Sequence, residues 1–357
     1  MDPRVEAYAD LLVDRCVAVQ PGQQVLVQST PLARPLVDAV VRRVARRGAY
    51  AFAWLNFESP INWTWVSDAP QELVEKLAPI EDNIYRSIDA WIHIGAPENT
   101  REGADVPAEK RAAISRARHD WLERRLSQTM AWVGCRFPTV AQAQDAGMTL
   151  TQFEDFLFGA VLIDWDALTA EMAGVKERFD RANEVRIVGH ETDLTLSLAG
   201  REGLVDDGHL NMPGGEVFYS PVEDSAEGVV TFSEFPAVDA AEFVEGARMV
   251  YRDGRVVEAS ARAGEEFLHA ALDRDEGARR LGELGIGCNP GITRHVKETL
   301  FDEKIAGTVH LAIGQGFKFL GGTNDSSVHW DMVKDLRNGG QLYCDGELVH
   351  ENGAWRL

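Results

Sequence analysis

His329 and Asp331 stand two residues apart in the strand-like segment SSVHWDMV. Residues at that spacing on a strand project to one face. The pair therefore offers an imidazole nitrogen and a carboxylate side by side, as a divalent metal site requires. Two donors do not define such a site, and the same pair also suits a solvated strand face. His310 lies in GTVHLAIGQG, an apolar strand closed by glycines, where a histidine is either a satisfied core residue or a ligand. Glu283 in LGELGIGCNP and Glu216 in NMPGGEVFYSP have similarly apolar surroundings. A carboxylate buried there must be paired or coordinated, because a lone buried charge is costly. Three carboxylates and two histidines could hold two divalent ions about 3.5–4 Å apart, with one carboxylate bridging them. The four cysteines (Cys16, Cys135, Cys288, Cys344) are scattered without a C-x-x-C pair. They read as reduced packing thiols. The donors on offer then suit Zn²⁺, Co²⁺, Mn²⁺ or Fe²⁺.

These side chains need strands to hold them, and the second half of the chain supplies strands in runs. EGVVTFSEFP, ARMVYRDGRVVEASA, GTVHLAIG, SSVHWDMV and GGQLYCDGELVHENGAW are separated by glycine-rich turns. Such runs predict a strand-rich α+β or barrel-like domain. The first half alternates instead. Helical spacing over 3–19 is followed by the strand QVLVQS, a helix over 33–47, and the strand candidates AYAFAWLNF, DAWIHIGAP and TMAWVGCR. Helices around 72–78 and 108–126 lie between them, and helices at 150–159 and 163–181 close the half. This alternation predicts an α/β domain with a mainly parallel sheet. The expected division is residues 1–181 and 182–357, and 357 residues are ample for two cores. With 57 acidic and 36 basic residues the net charge is −21. That argues against nucleic acid or an anionic membrane as partner. No apolar run is long enough to span a bilayer, and MDPRVEAYADLLVDR lacks the apolar core of a secretory signal. A cytoplasmic location is expected.

NMPGGEVF, DEGARRLGELGIGCNPGI, LFDEKIAGTVHLAIG and GGTNDSSVHWDMVKDLR resemble the signature blocks of the aminopeptidase T/aminopeptidase S family of metallopeptidases. GHETDLTLSLAGR and YCDGELVHENGAW are similar to its flanking strands, and the blocks run in family order from about residue 185 to the C-terminus. The resemblance implies that Glu216, Glu283, His310, His329 and Asp331 bind two metal ions, with one glutamate bridging and Glu216 and Glu283 as the catalytic carboxylates. It further implies removal of N-terminal residues from short peptides, a cytoplasmic homodimer, and metals that polarise the scissile carbonyl, activate water and bind the α-amine. The dimer would enclose the active site.

One position departs from the family pattern. A tyrosine there follows the strand histidine by seven residues and is held to hydrogen-bond the reacting oxygen; this chain has Phe317. Phenylalanine has no donor, and losing one such donor costs about 10²–10³ in rate. Either Tyr219 or a loop residue takes over, or the local match slips by one or two residues, or the protein has left ordinary peptide hydrolysis. Phe317 and Asn324 are the candidate substrate-binding residues, and Asn324 in GGTNDSS also suits a turn. Glu303 and Lys304 read as an ion pair at a helix end or loop, with a general-base role for the glutamate as the alternative. His190 and Asp193 read as turn chemistry. Asp335 and Arg337 could support a metal ligand, and Trp54, Trp63 and Trp65 could line a pocket or pack an interface. Two other functions compete. A mononuclear Fe(II) ring-cleaving dioxygenase would need only His310, His329 and Asp331, the usual two-histidine, one-carboxylate set. A metal-binding homologue with weak or no peptidase activity is the third.

Overall fold

The computed structural model describes residues 2–57, 60–126, 129–239 and 242–356. The chain forms two compact units, Met1–Ile163 with Gly208–Pro213, and Asp164–Asp207 with Gly214–Leu357.

In the first unit a five-stranded sheet has the order Tyr50–Leu55, Gln24–Ser29, Ala90–Gly95, Ala131–Arg136, Asn211–Met212, and every pairing is parallel. The run QVLVQS forms a central strand because Val25, Leu26 and Val27 are buried on alternating faces. The helix Arg34–Arg46 buries Leu36, Val37, Val40 and Val44. It stops at Gly48, whose φ of +75° lies in the left-handed region that glycine enters freely. Trp54 packs on the cluster of Leu26, Tyr85, Trp91 and Trp121, and Trp63 on the one around Val66 and Ile114. Both are core-packing residues, and Trp65 is exposed.

The division between units differs from the expected one near residue 182. The helix Trp165–Asp180 belongs to the second unit. Its apolar stripe of Leu168, Met172, Val175 and Phe179 is buried. Tyr219 Oη donates to Asp180 Oδ1 (3.0 Å) and to the Lys176 carbonyl (3.2 Å). The two residues Asn211–Met212 go the other way and extend the parallel sheet of the first unit.

The second unit is strand-rich. An eight-stranded antiparallel sheet spans from Arg255–Ser260 at one edge to Ala354–Trp355 at the other. A separate five-stranded antiparallel sheet has the order His329–Asp335, Thr308–Gly314, Leu281–Gly287, Glu216–Tyr219, Leu204–Asp206. All four cysteines are buried and none is in a disulfide. No helix among the described residues is long and apolar enough to cross a membrane.

Candidate metal centre

The register of the five-stranded sheet decides which side chains meet. Gly314 pairs with His329 and Ala312 with Asp331; on the next seam Ala312 pairs with Glu283 and Gly285 with His310. Gly287 pairs with Glu216, and Glu216 with Asp206. Directly paired residues share a face. Asp206, Glu216, Glu283, His310, His329 and Asp331 therefore lie on one face, interleaved with Gly285, Gly287, Ala312 and Gly314. The small residues make the room. A Cβ on Gly285 would lie 1.8 Å from His310 Cε1, so the imidazole occupies the space that any other residue would fill.

Glu283 stands at the centre. His310 Nε2 is 3.4 Å from Glu283 Oε1 and 3.5 Å from Glu216 Oε2. His329 Nε2 is 3.1 Å from Glu283 Oε2 and 3.7 Å from Asp331 Oδ2. Two donors each about 2.0–2.2 Å from a tetrahedral ion are about 3.3–3.6 Å apart, close to these spacings. The donors fall into the triplets Glu216–Glu283–His310 and Glu283–His329–Asp331, each within 4.8 Å. A third triplet joins Glu303 to His310 and Asp331. The first triplet is wholly buried, whereas the His329 side chain is 29% exposed at the open end.

Both histidines are oriented by backbone. His310 Nδ1–H donates to the Glu303 carbonyl and His329 Nδ1–H to the Gln315 carbonyl, each at 2.9 Å. Each ring thus turns Nε2 toward the carboxylates, the arrangement that supports metal-ligating histidines. These carbonyls take the supporting role expected of Asp335 and Arg337, which pair with each other (2.6 Å). Backbone acceptors leave no signature in residue identity.

The electrostatics are those of a cation site. Burial pushes the Glu216 carboxyl up to about 8 against the pull of Lys304, and the Asp331 carboxyl up to about 6 against that of His329. Burial acts the same way on Glu283, but hydrogen bonds from His310 and His329 outweigh it and hold that carboxyl at about 2. Both imidazoles rise to about 10, because Glu283, Glu216 and Asp331 overcome the penalty of burial. Glu216 Oε2 and Asp331 Oδ1 are buried without a hydrogen-bond partner. Orphaned carboxylate oxygens beside inward-facing nitrogens fit a set of divalent cations.

Lys304, expected in an ion pair at a helix end or loop, is completely buried. Its Nζ lies 3.0 Å from Glu216 Oε1 and also pairs with Glu303. Phe317 follows the His310 strand, half-buried, its ring centroid 5.2 Å from that of His329 and 5.5 Å from that of Phe218. Asn324 donates from Nδ2 to the carbonyls of Gly314 (2.6 Å) and Gly277 (2.9 Å), clasping the loop that carries Phe317. Tyr219 cannot supply the missing hydroxyl. It is one residue past Phe218 on the strand, so it faces away from the donors and hydrogen-bonds Asp180. His190 lies beside Ser233 (3.4 Å), and Asp193 pairs with Arg186 (2.6 Å).

Comparison with known proteins agrees with this geometry. Aminopeptidase AmpS of Bacillus subtilis is 26% identical over 99% of this chain and 98% of its own length. The structure of wild-type AmpT from Thermus thermophilus superposes with a TM-score of 0.84, covering 99% of both chains at 24% identity. The 2,5-dihydroxypyridine dioxygenase of Pseudomonas putida KT2440 shares the fold more distantly, with a TM-score of 0.66 at 12% identity over 99% of this chain and 96% of that one. The profile of the thermophilic metalloprotease (M29) family matches residues 1–355, and the chain belongs to that family.

Proposed function

We propose that this metallopeptidase is an aminopeptidase that removes N-terminal residues from short peptides at a centre of two divalent ions, Zn²⁺, Co²⁺ or Mn²⁺. The observation that carries the reading is Glu283, which turns one oxygen to each donor triplet. A carboxylate so placed can bridge two ions. Glu216 and His310 complete the buried position, and His329 and Asp331 the accessible one. Bound there, the ions would supply Lewis acidity toward the scissile carbonyl, lower the pKa of the attacking water and hold the α-amine. The protein's own part is to fix the donors before substrate arrives. The carbonyls of Glu303 and Gln315 hold the two rings, and Glu283 sets the distance between the positions. Phe317 lines the open end with an apolar ring where a donor would assist the reaction, so turnover of simple aminoacyl substrates should be slow. The names of the curated relatives, all aminopeptidases, support the substrate class. Four buried cysteines, none of them in a disulfide, suit a reducing, cytoplasmic compartment. Tyr50, Phe52 and Leu55, exposed on an edge strand, suit a surface covered in a homodimer.

Metal analysis combined with a pair of substrates tests the proposal. The expected result is two divalent ions per chain, with cleavage of a short peptide that has a free N-terminus and none of its N-acetylated form. One iron per chain and no peptide cleavage would overturn it.

A further inference from the structure

Lys304 has no role in the chemistry described so far, yet it is among the most deeply buried charged groups of the chain. Its side chain has no exposed surface, and its ammonium lies 3.0 Å from Glu216 Oε1. Its other ion-pair partner is Glu303. The backbone holds it there. The Lys304 carbonyl accepts from Asn289 N–H (2.9 Å), Asn289 Nδ2 donates to the Gly214 carbonyl (2.9 Å), and Cys288 N–H donates to the Gly215 carbonyl (2.8 Å). The turn that delivers Glu216 and the segment that delivers Lys304 are thus both tied to Asn289. The two oxygens of Glu216 consequently face different cations: Oε1 faces the ammonium, while Oε2 faces His310 and has no hydrogen-bond partner.

We infer that Lys304 is a positioning residue that keeps Glu216 Oε1 from coordination and makes the ion held by Glu216, Glu283 and His310 the weaker-bound of the two. The inference rests on the two-ion reading above. An ion bound to Glu216 Oε2 would share that carboxylate with the ammonium, which lies 3.0 Å from Oε1, and a divalent and a monovalent cation on one carboxylate repel strongly at the effective dielectric of a protein. The set Glu283, His329 and Asp331 contains neither ion-pair partner of Lys304, so an ion held there would feel the ammonium less. The charges agree with such a role. Asp206, Glu216, Glu283, Glu303 and Asp331 are five carboxylates, and two divalent ions with one ammonium neutralise them. Without the ammonium the filled site would carry a net negative charge and hold its second ion more tightly. The ammonium also keeps Glu216 and Glu303 paired when the buried position is empty, so the protein can lose and regain that ion without leaving two carboxylates facing each other uncompensated.

Chelator-stripped wild type, Lys304→Gln, Lys304→Met, Lys304→Arg and Glu216→Gln would each be titrated with Co²⁺ alone, followed by calorimetry and by the d–d absorption band. The wild type should bind in two steps, and Glu216→Gln should lose only the weaker one. Lys304→Gln and Lys304→Met should tighten the weaker step by at least about tenfold while the tighter step moves by less than about threefold; Lys304→Arg, which keeps the charge, should leave both near wild type. A purely structural lysine would not separate the neutral variants from the charged one. If a neutral variant unfolds when stripped, release of ions from the loaded protein into excess chelator gives the same comparison, and the faster-released ion should leave more slowly than from wild type. A weaker step that is unmoved or loosened in both neutral variants overturns the role of Lys304. A wild type that takes up only one ion overturns the two-ion reading beneath it.

Discussion

Gly285→Ala is the smallest change that should dismantle the centre. Gly285 pairs with His310 across the sheet, and a Cβ there would lie 1.8 Å from Cε1, 2.0 Å from Nε2 and 2.6 Å from Nδ1 of the imidazole. Ordinary carbon contacts begin at about 3.5 Å, so the ring must retreat by about 1.5 Å or the strands must part. Both strands have partners on either side, which opposes parting. The ring cannot retreat without giving up its Nδ1–H bond to the Glu303 carbonyl. Movement carries Nε2 away from Glu216 and Glu283. A misplacement of about 1 Å at a reacting centre costs about 10²-fold in rate, and overpacking a core costs about 1–3 kcal/mol. Gly285→Ala should therefore fold with a lowered Tm, retain fewer ions per chain after gel filtration, and lose about 10²-fold or more in kcat. Gly159→Ala and Gly174→Ala are the controls. Both lie in helices where a Cβ meets nothing within 4 Å, and alanine there should be neutral or stabilise by about 0.5–1 kcal/mol. A Gly285→Ala protein with wild-type metal content and more than half the wild-type kcat would refute the packing argument.

Three further outcomes are expected. Glu283→Gln should abolish binding of both ions while Glu216→Gln spares one, because only Glu283 belongs to both triplets; equal metal content in the two variants would count against a bridging role. Phe317→Tyr should raise kcat by about tenfold or more with little change in KM, since the new hydroxyl acts chiefly in the transition state; unchanged kcat in the fully metallated variant would return Phe317 to a packing role. Metal affinity should rise with pH: His310 and His329 hold protons up to about 10 without metal, against the effect of burial, because of the carboxylates around them. Each ion must displace such a proton, so Co²⁺ should bind at least about tenfold more weakly at pH 6 than at pH 7, and a constant Kd between pH 6 and 8 would contradict this.

The parts of this molecule legible in sequence are those whose pattern is local. QVLVQS is a strand at Gln24–Ser29 because an unbroken apolar run suits a sheet covered on both faces. His329 and Asp331 share a face because two residues apart on a strand always do. What depends on distant pairing was not legible. Asn211–Met212 is too short to show a period, yet it joins a parallel sheet far from it in sequence. The helix Trp165–Asp180 has the expected pattern, but an amphipathic helix does not say which core it will cover, and this one covers the second. Lys304 resembles any lysine at a loop; its burial comes from Asn289, fifteen residues earlier, which draws its backbone beside the turn before Glu216. Gly285 reads as a flexible point in LGELGIG, and its use as space for a ring appears only when the strands are set in register.

The same fold is shared with a dioxygenase structure at a TM-score of 0.66, so architecture alone does not choose the chemistry. The donors do. A single-iron site built from His310, His329 and Asp331 needs both imidazoles on one ion. Among the described residues none of the three close triplets contains both: His310 belongs with Glu216 and Glu283 or with Glu303 and Asp331, and His329 with Glu283 and Asp331. Glu283 stands between the rings and contacts each through a different oxygen. Bringing both nitrogens to one ion would require displacing Glu283, whose strand is paired to neighbouring strands on both sides. It would also leave Glu216 buried with only Lys304 to balance it. A second ion removes both difficulties, since the buried carboxylates then have the charge they lack and neither ring has to move. On the reading proposed above, the carboxylate of Glu283 between the two histidines is what favours peptide hydrolysis by two ions over oxygen chemistry at one.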